Sequence, residues 1–145
     1  VTKCPSPLSE GERKLIRSKL ALRDGQELAF ASLCYQQIRD RKGVPIPERT
    51  LQNEKFTLVT GIARPHPLIA YLKKSGIRFE HLKYSDHHKF STSELNALKQ
   101  RQPILTTEKD AVRLEGALET FYVLPVQHCF SEKDQGVMQE FLSRF

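Results

Sequence analysis

The stretch FTLVTGIARPHPLIAYLKKSG, residues 56–76, decides the fold. Phe56 to Thr60 is a short run of apolar and β-branched residues, the composition of a strand. Pro67 to Lys74 then carries the helical spacing. Lys73 and Lys74 occupy its last turn and Ser75-Gly76 lie just beyond, so the helix is expected to end near Lys74. Strand, tight connection, helix is one repeatable unit, and the same unit recurs downstream.

Ile77–Leu82, Pro103–Thr106 and Phe121–Val126 are further β-rich runs, each followed by helix-like sequence. Ser91 with Glu94 three residues on has the capping-box pattern before Leu95 and Leu98. Thr107 with Asp110 opens another helix in the same way. Ser131 opens the last, whose Met138, Phe141, Leu142 and Phe145 fall at i, i+3, i+4, i+7, the spacing of a buried stripe. Parallel strands need crossovers, so alternating strands and helices predict an α/β fold, a mostly parallel sheet flanked by helices. Upstream, Ser9 and Glu12 cap a basic helix carrying Leu15, Ile16 and Leu20, and Leu28 to Tyr35 reads as a strand. Residues 36–54 are polar and punctuated by Gly43, Pro45 and Pro47, and read as an exposed loop or hairpin. No internal repeat is visible.

The 145 residues fit a single α/β domain with one core. A hydrophobic fraction of 39% with 28% charged residues excludes disordered and fibrous classes. No apolar run approaches the roughly 18 residues of a membrane span, and no signal-peptide layout is present, so the expectation is a soluble chain that neither spans nor is exported. Val1 in place of Met suggests a cut piece. Cys4, Cys34 and Cys129 are odd in number and widely spaced, which points to reduced thiols in a cytosolic setting. Lys plus Arg exceed Asp plus Glu by 23 to 17, a net charge of +6 that favours anionic partners.

Three strand-to-helix junctions carry the groups that could do chemistry, at the strand ends where ligands gather in open α/β sheets. Ser85-Asp86-His87-His88 is the densest. An imidazole titrating near neutrality can take a proton from a hydroxyl, and a carboxylate can fix its tautomer, which makes His87 the candidate base. The tripeptide alone leaves open a solvated loop or a histidine satisfied by backbone. Thr106-Thr107-Glu108-Lys109-Asp110 offers hydroxyls and a helix N-terminus that either favour an anion or simply cap the helix. In Thr60-Gly61-Ile62-Ala63-Arg64-Pro65, Gly61 allows close backbone approach and Arg64 can pair with phosphate, or the segment is an ordinary tight turn. Neither G-x-x-x-x-G-K-[ST] nor G-x-G-x-x-G occurs, so the chain cannot by itself cradle a nucleoside triphosphate in those ways. Basic residues are scattered and the aromatics form no stacking series, which argues against nucleic-acid binding.

Val1–Pro5, Thr60–Pro65, Tyr84–His88 and Thr106–Val112, in this order, resemble the C-terminal half of the tetraacyldisaccharide 4'-kinase family, the lipid A 4'-kinases of Gram-negative bacteria. The resemblance implies an enzyme that uses ATP and magnesium to phosphorylate the 4'-hydroxyl of a tetraacyldisaccharide 1-phosphate, giving lipid IVA. It further implies the cytoplasmic face of the inner membrane as the place of work, peripherally, with the acylated lipid and that surface as partners. The family's phosphate loop lies upstream, so this chain resembles the C-terminal part of a two-domain kinase, inactive and without bound ATP or metal when separated from its N-terminal P-loop domain. In the family the first His of Asp-His-His is associated with activating the acceptor hydroxyl, which carries over to His87. Its aspartate partner comes from the other domain, and Asp86 positions the loop. Thr60, Gly61, Arg64, Thr106, Thr107, Glu108, Lys109 and Asp110 carry over as cleft residues for substrate or nucleotide. Two other classes compete. A metal-dependent phosphoesterase of the Asp-His-His type needs further Asp and His ligands, and no D-x-D cluster is present here. A non-catalytic basic nucleic-acid-binding module would show salt-dependent affinity.

Overall fold

The structure, a computed structural model, describes residues 1–4 and 8–145. Pro5 of the quoted N-terminal stretch therefore lies outside the described residues. In chain order the elements are α1 (Glu10–Leu20), β1 (Ala31–Tyr35), β2 (Arg39–Asp40), α2 (Glu48–Asn53), β3 (Lys55–Thr60), α3 (His66–Lys74), β4 (Arg78–Lys83), α4 (Thr92–Lys99), β5 (Ile104–Thr107), α5 (Glu108–Leu114), β6 (Tyr122–Leu124), β7 (Val126–Phe130) and α6 (Glu132–Leu142). Where the sequence suggests one core, the chain forms two compact units, Tyr35–Val126 and the paired terminal segments Val1–Cys34 and Gln127–Phe145.

The central unit holds a five-stranded sheet in the order β2-β6-β5-β3-β4. β3 pairs in parallel with both β4 and β5, and β5 with β6, while the two-residue β2 lies antiparallel on the β6 edge. From β3 the chain steps outward to β4, then returns across β3 to reach β5 and β6. With right-handed crossovers, that reversal puts α3 on one face and α4 and α5 on the other. The packing agrees. Phe56, Leu58 and Leu105 meet Leu68 and Leu72 of α3 on one side, and Val59 and Ile104 meet Leu98 of α4 and Ala111 and Leu114 of α5 on the other. Alternate residues of β3 thus feed opposite cores, because successive side chains on a strand point to opposite faces. β3 and β5 are covered on both faces, as central strands of a parallel sheet must be. Each fully buried Leu or Ile contributes about 1.5–3 kcal/mol.

Helix starts follow the sequence. Ser91 and Glu94 form the reciprocal capping box of α4, and the Thr107 hydroxyl accepts from the Asp110 N–H at the start of α5. Segment 36–54 does contain a hairpin, with Asp40 N–H donating to Val44 O and Ile46 N–H to Ile38 O. It is less exposed than its polarity suggests, because Ile38 and Leu51, the latter on α2, enter the core. The run 121–126 is not one strand leading to a helix. It breaks at Pro125, which has no N–H for a ladder, into β6 and β7.

In the terminal unit β1 pairs with β7. Asp134, buried at the start of α6, accepts from both Arg13 nitrogens at 2.9 and 2.6 Å, from the Phe30 N–H at 2.9 Å and from the Ser131 hydroxyl. Two sequence expectations fail here. The β1–β7 pairing brings the Cα atoms of Cys34 and Cys129 to 5.9 Å and the sulfurs are bonded, so only Cys4 is free; a sequence separation of 95 residues conceals that approach. The α6 stripe is also not buried. Met138, Leu142 and Phe145 lie at the surface, since no element among the described residues covers the later turns.

Candidate functional site

The parallel register aligns Thr60 with Lys83, Val59 with Thr106, and Thr107 with Leu124, so the C-terminal ends of β3, β4, β5 and β6 lie side by side. The point where the chain reverses, between β3 and β5, is where open α/β sheets leave a crevice. Gly61 follows β3 there, and Thr107 to Asp110 follow β5.

Asp110 is the hub. It is wholly buried, and its carboxylate accepts from the Gly61 N–H, the Thr107 hydroxyl and Arg113 Nη1, each at 2.9 Å. A buried carboxylate needs such donors, because leaving it unpaired away from water costs several kcal/mol. Gly61 is required by contact rather than by its own dihedrals. A Cβ at this position would stand 3.0 Å from Asp110 Oδ1, 3.1 Å from the Ser85 carbonyl and 3.3 Å from Arg113 Nη1.

The loop after β4 begins with Tyr84 N–H donating to Thr60 O at 2.8 Å, which extends the parallel ladder. Ser85 O then accepts from His88 N–H, closing a four-residue turn with His87 in a left-handed conformation, φ +61°. That conformation costs a non-glycine residue about 1–2 kcal/mol, and strain of this kind concentrates at functional positions. Asp86 Oδ1 accepts from Lys109 Nζ at 2.7 Å and from the His87 N–H at 3.1 Å; the lysine bond, ahead of smaller contributions, holds the carboxyl below its ordinary range. The two histidines part company. His88 Nε2 bonds Glu94 at 3.0 Å and its ring packs against Tyr84 and Phe90, a structural placement. The His87 side chain is 75% exposed, with Nδ1 3.3 Å from Arg113 Nη2.

The other sequence candidates divide. Thr60, Gly61, Asp86, His87, Thr107, Lys109 and Asp110 sit together at the strand ends. Thr60 Oγ1 is turned to His81 Nε2 at 2.8 Å, and burial lowers the His81 pKa, favouring its neutral form. Thr106 Oγ1 donates to Val59 O within the sheet and is sealed from solvent. Glu108 receives the Val126 N–H, and Arg64 is exposed with no ion pair or side-chain hydrogen bond among the described residues. Arg113 escaped the sequence reading. Its signal was the Asp110-x-x-Arg113 spacing, which places opposite charges on one helix face. Among the described residues no group of three or more His, Cys, Asp or Glu could hold a metal ion. Asp86, 3.9 Å from His87 Nε2, is engaged by Lys109, and Asp110 by Arg113.

Fold and site define an open α/β domain, wound on both faces, with its polar groups gathered at the topological switch point. Comparison with known proteins narrows the class. Residues 10–145 match the tetraacyldisaccharide-1-P 4'-kinases, and the chain belongs to that family. It is 36% identical over 140 residues to the tetraacyldisaccharide 4'-kinase of Flavobacterium johnsoniae, covering 93% of this chain and 41% of that protein. To its counterpart from Bacteroides fragilis it is 34% identical over 148 residues, covering 88% and 39%. The chain thus spans about two fifths of the length of these relatives. The crystal structure of LpxK from Aquifex aeolicus in complex with ATP shares the fold, with a TM-score of 0.54 and 16% identity over 79% of this chain and 36% of that one.

Proposed function

We propose that the chain is the C-terminal part of a kinase that transfers the γ-phosphate of ATP to the 4'-hydroxyl of a tetraacyldisaccharide 1-phosphate, the step that yields lipid IVA. The family match over residues 10–145 carries this reading. The switch-point cluster supports it, because phosphoryl transfer is mostly positioning and charge stabilisation, and an enzyme can divide that work between two parts that meet over the substrate.

In this reading His87, on its strained turn, is the group of this chain that acts on the acceptor hydroxyl. Asp86 and Lys109 fix the turn, and Gly61, Thr107 and Asp110 hold the strand ends together beneath it. Arg64, exposed in the β3–α3 connection, is available to an anionic substrate. ATP would be held chiefly by the N-terminal P-loop domain, since this sequence has no phosphate loop. The carboxylates here do not suit magnesium either, being already paired with Lys109 and Arg113, and the ion would fall to the same missing part. With an acylated acceptor and ATP as donor, the proposed reaction would belong at the cytoplasmic surface of the inner membrane of a Gram-negative cell. No helix among the described residues is long and apolar enough to cross a membrane.

The test is phosphate transfer from γ-labelled ATP to tetraacyldisaccharide 1-phosphate by the complete protein that contains this chain. Label at the 4' position is expected. Release of phosphate from a phosphoester without ATP would instead favour a phosphoesterase, and no transfer at all would overturn the proposal.

A further inference from the structure

Arg113 bridges two groups of different kinds. Its Nη1 donates to Asp110 Oδ1 at 2.9 Å, and its Nη2 lies 3.3 Å from His87 Nδ1. The guanidinium is always protonated and carries only donors, so a contact with an imidazole nitrogen is a hydrogen bond only if that nitrogen offers its lone pair. In neutral His87 the proton must then reside on Nε2. Asp110 cannot shift to accommodate another arrangement, because Gly61 and Thr107 pin its other oxygen at 2.9 Å in a fully buried place. The arginine side chain is itself only 22% exposed. The remaining charged groups around the ring are Asp86 on its own turn, 3.9 Å from Nε2 at the nearest oxygen, and Lys109, which is occupied with Asp86.

We propose that Arg113 is a positioning residue that fixes the ring of His87 and its Nε2–H tautomer, so that the imidazole meets its ligand as a hydrogen-bond donor to oxygen. This rests on the kinase reading only for the identity of that ligand; the tautomer is a property of the chain itself. With Nε2 protonated, a base role for His87 would fall to Nδ1. Only Nδ1 has a free lone pair, and Arg113 covers it. The fork of the guanidinium matters, because Nη1 and Nη2 reach Asp110 and His87 as two separate, rigidly spaced nitrogens, where lysine would bring a single nitrogen on a flexible stem.

Long-range ¹H–¹⁵N correlation of the imidazole nitrogens, on the 145-residue chain above the histidine titration, reads the tautomer directly. The expected spectrum shows His87 Nδ1 unprotonated and Nε2 protonated. In Arg113→Met the two shifts should move toward the average of exchanging tautomers. Arg113→Lys keeps a cation for Asp110, guarding against misfolding, and should show the same change. In the complete kinase, Arg113→Lys should lower kcat by about 10²-fold with little change in KM, the scale expected when a reacting group is misplaced by about 1 Å. Combined with His87→Ala it should add no further loss, since the two act as one unit. A protonated Nδ1 in the unaltered chain, or shifts indifferent to both Arg113 variants, overturns the proposal whatever the enzyme catalyses. Additive losses in the double variant would overturn the claim that Arg113 acts through His87. If the tautomer behaves as expected and no kinase activity is found, the functional reading fails and this one stands.

Discussion

Replacing Asp110 by Ala removes the acceptor around which the strand ends are assembled, and the structure sets the size of the effect. Two donors, the Gly61 N–H and the Thr107 hydroxyl, lose their buried acceptor. Each orphaned donor costs about 1–3 kcal/mol. Arg113 also loses its partner but reaches solvent and can turn outward, so its contribution is discounted. The cap hydrogen bond from the residue-110 N–H to Thr107 survives, as it uses only backbone of residue 110. The two together come to about 2–6 kcal/mol, which brackets the range for breaking a buried charged pair. With a urea m-value of about 2 kcal/mol per molar, the unfolding midpoint of the central unit should fall by about 2 M. Urea titration read by amide exchange of the β3 and β5 segments measures it, with loss of protection strongest at Gly61. A loss below about 1 kcal/mol, or an unchanged Gly61 exchange rate, would refute the view of Asp110 as the hub.

Other consequences are more local. Gly61→Ala should destabilise by about 1–3 kcal/mol, the usual cost of overpacking, as a fall in melting temperature, and a neutral result would mean the crevice is looser than the contacts of its Cβ position imply. His87→Gly should leave stability unchanged or raise it by about 1 kcal/mol, because glycine adopts the left-handed turn freely; urea unfolding showing a clear loss would contradict the strain. Asp134, whose carboxyl is held well below the usual carboxylate range first by the Arg13 hydrogen bond and then, against burial, by Ser131 and the Phe30 N–H, gives the terminal unit an acid limit. A depressed folded pKa means that its stabilisation is complete above about pH 4, the unfolded value, and disappears as pH falls toward the folded one. Melting of the terminal unit should therefore weaken below about pH 4, and Asp134→Asn should flatten that limb while lowering stability at neutral pH.

Much of the central sheet was legible because its signals are local. Phe56 to Thr60 and Pro103 to Thr106 are apolar enough for strands covered on both faces, and Ser91, Thr107 and Ser131 carry cap chemistry that resolves within three residues. The junctions at Gly61, His87 and Asp110 could be read for the same reason, as strand ends that a parallel sheet must bring to one side. What failed depends on partners distant in sequence. Cys34 and Cys129 meet only because β1 pairs with β7, and the helical spacing of Met138, Phe141, Leu142 and Phe145 marks a common face without saying whether anything covers it. Ile38 and Leu51 were hidden in a polar segment where one apolar residue at a time reaches the core. Arg113 fell just beyond the motif that drew attention to Asp110, and nothing in the sequence links it to a histidine 26 positions earlier.

The most direct measurement compares His87→Ala with His88→Ala in the complete enzyme, by steady-state phosphate transfer from ATP to the tetraacyldisaccharide 1-phosphate, with folding checked by circular dichroism. His87 stands exposed on its turn while His88 is packed against Tyr84, Phe90 and Glu94. Loss of His87 should therefore lower kcat by about 10²–10³-fold in a folded protein, the scale of a donor that stabilises developing charge. Loss of His88 should act mainly on stability. Equal and small effects on kcat would reduce the Asp-His-His turn to a structural loop, and a severe loss at His88 alone would place the reacting group on the wrong side of the turn.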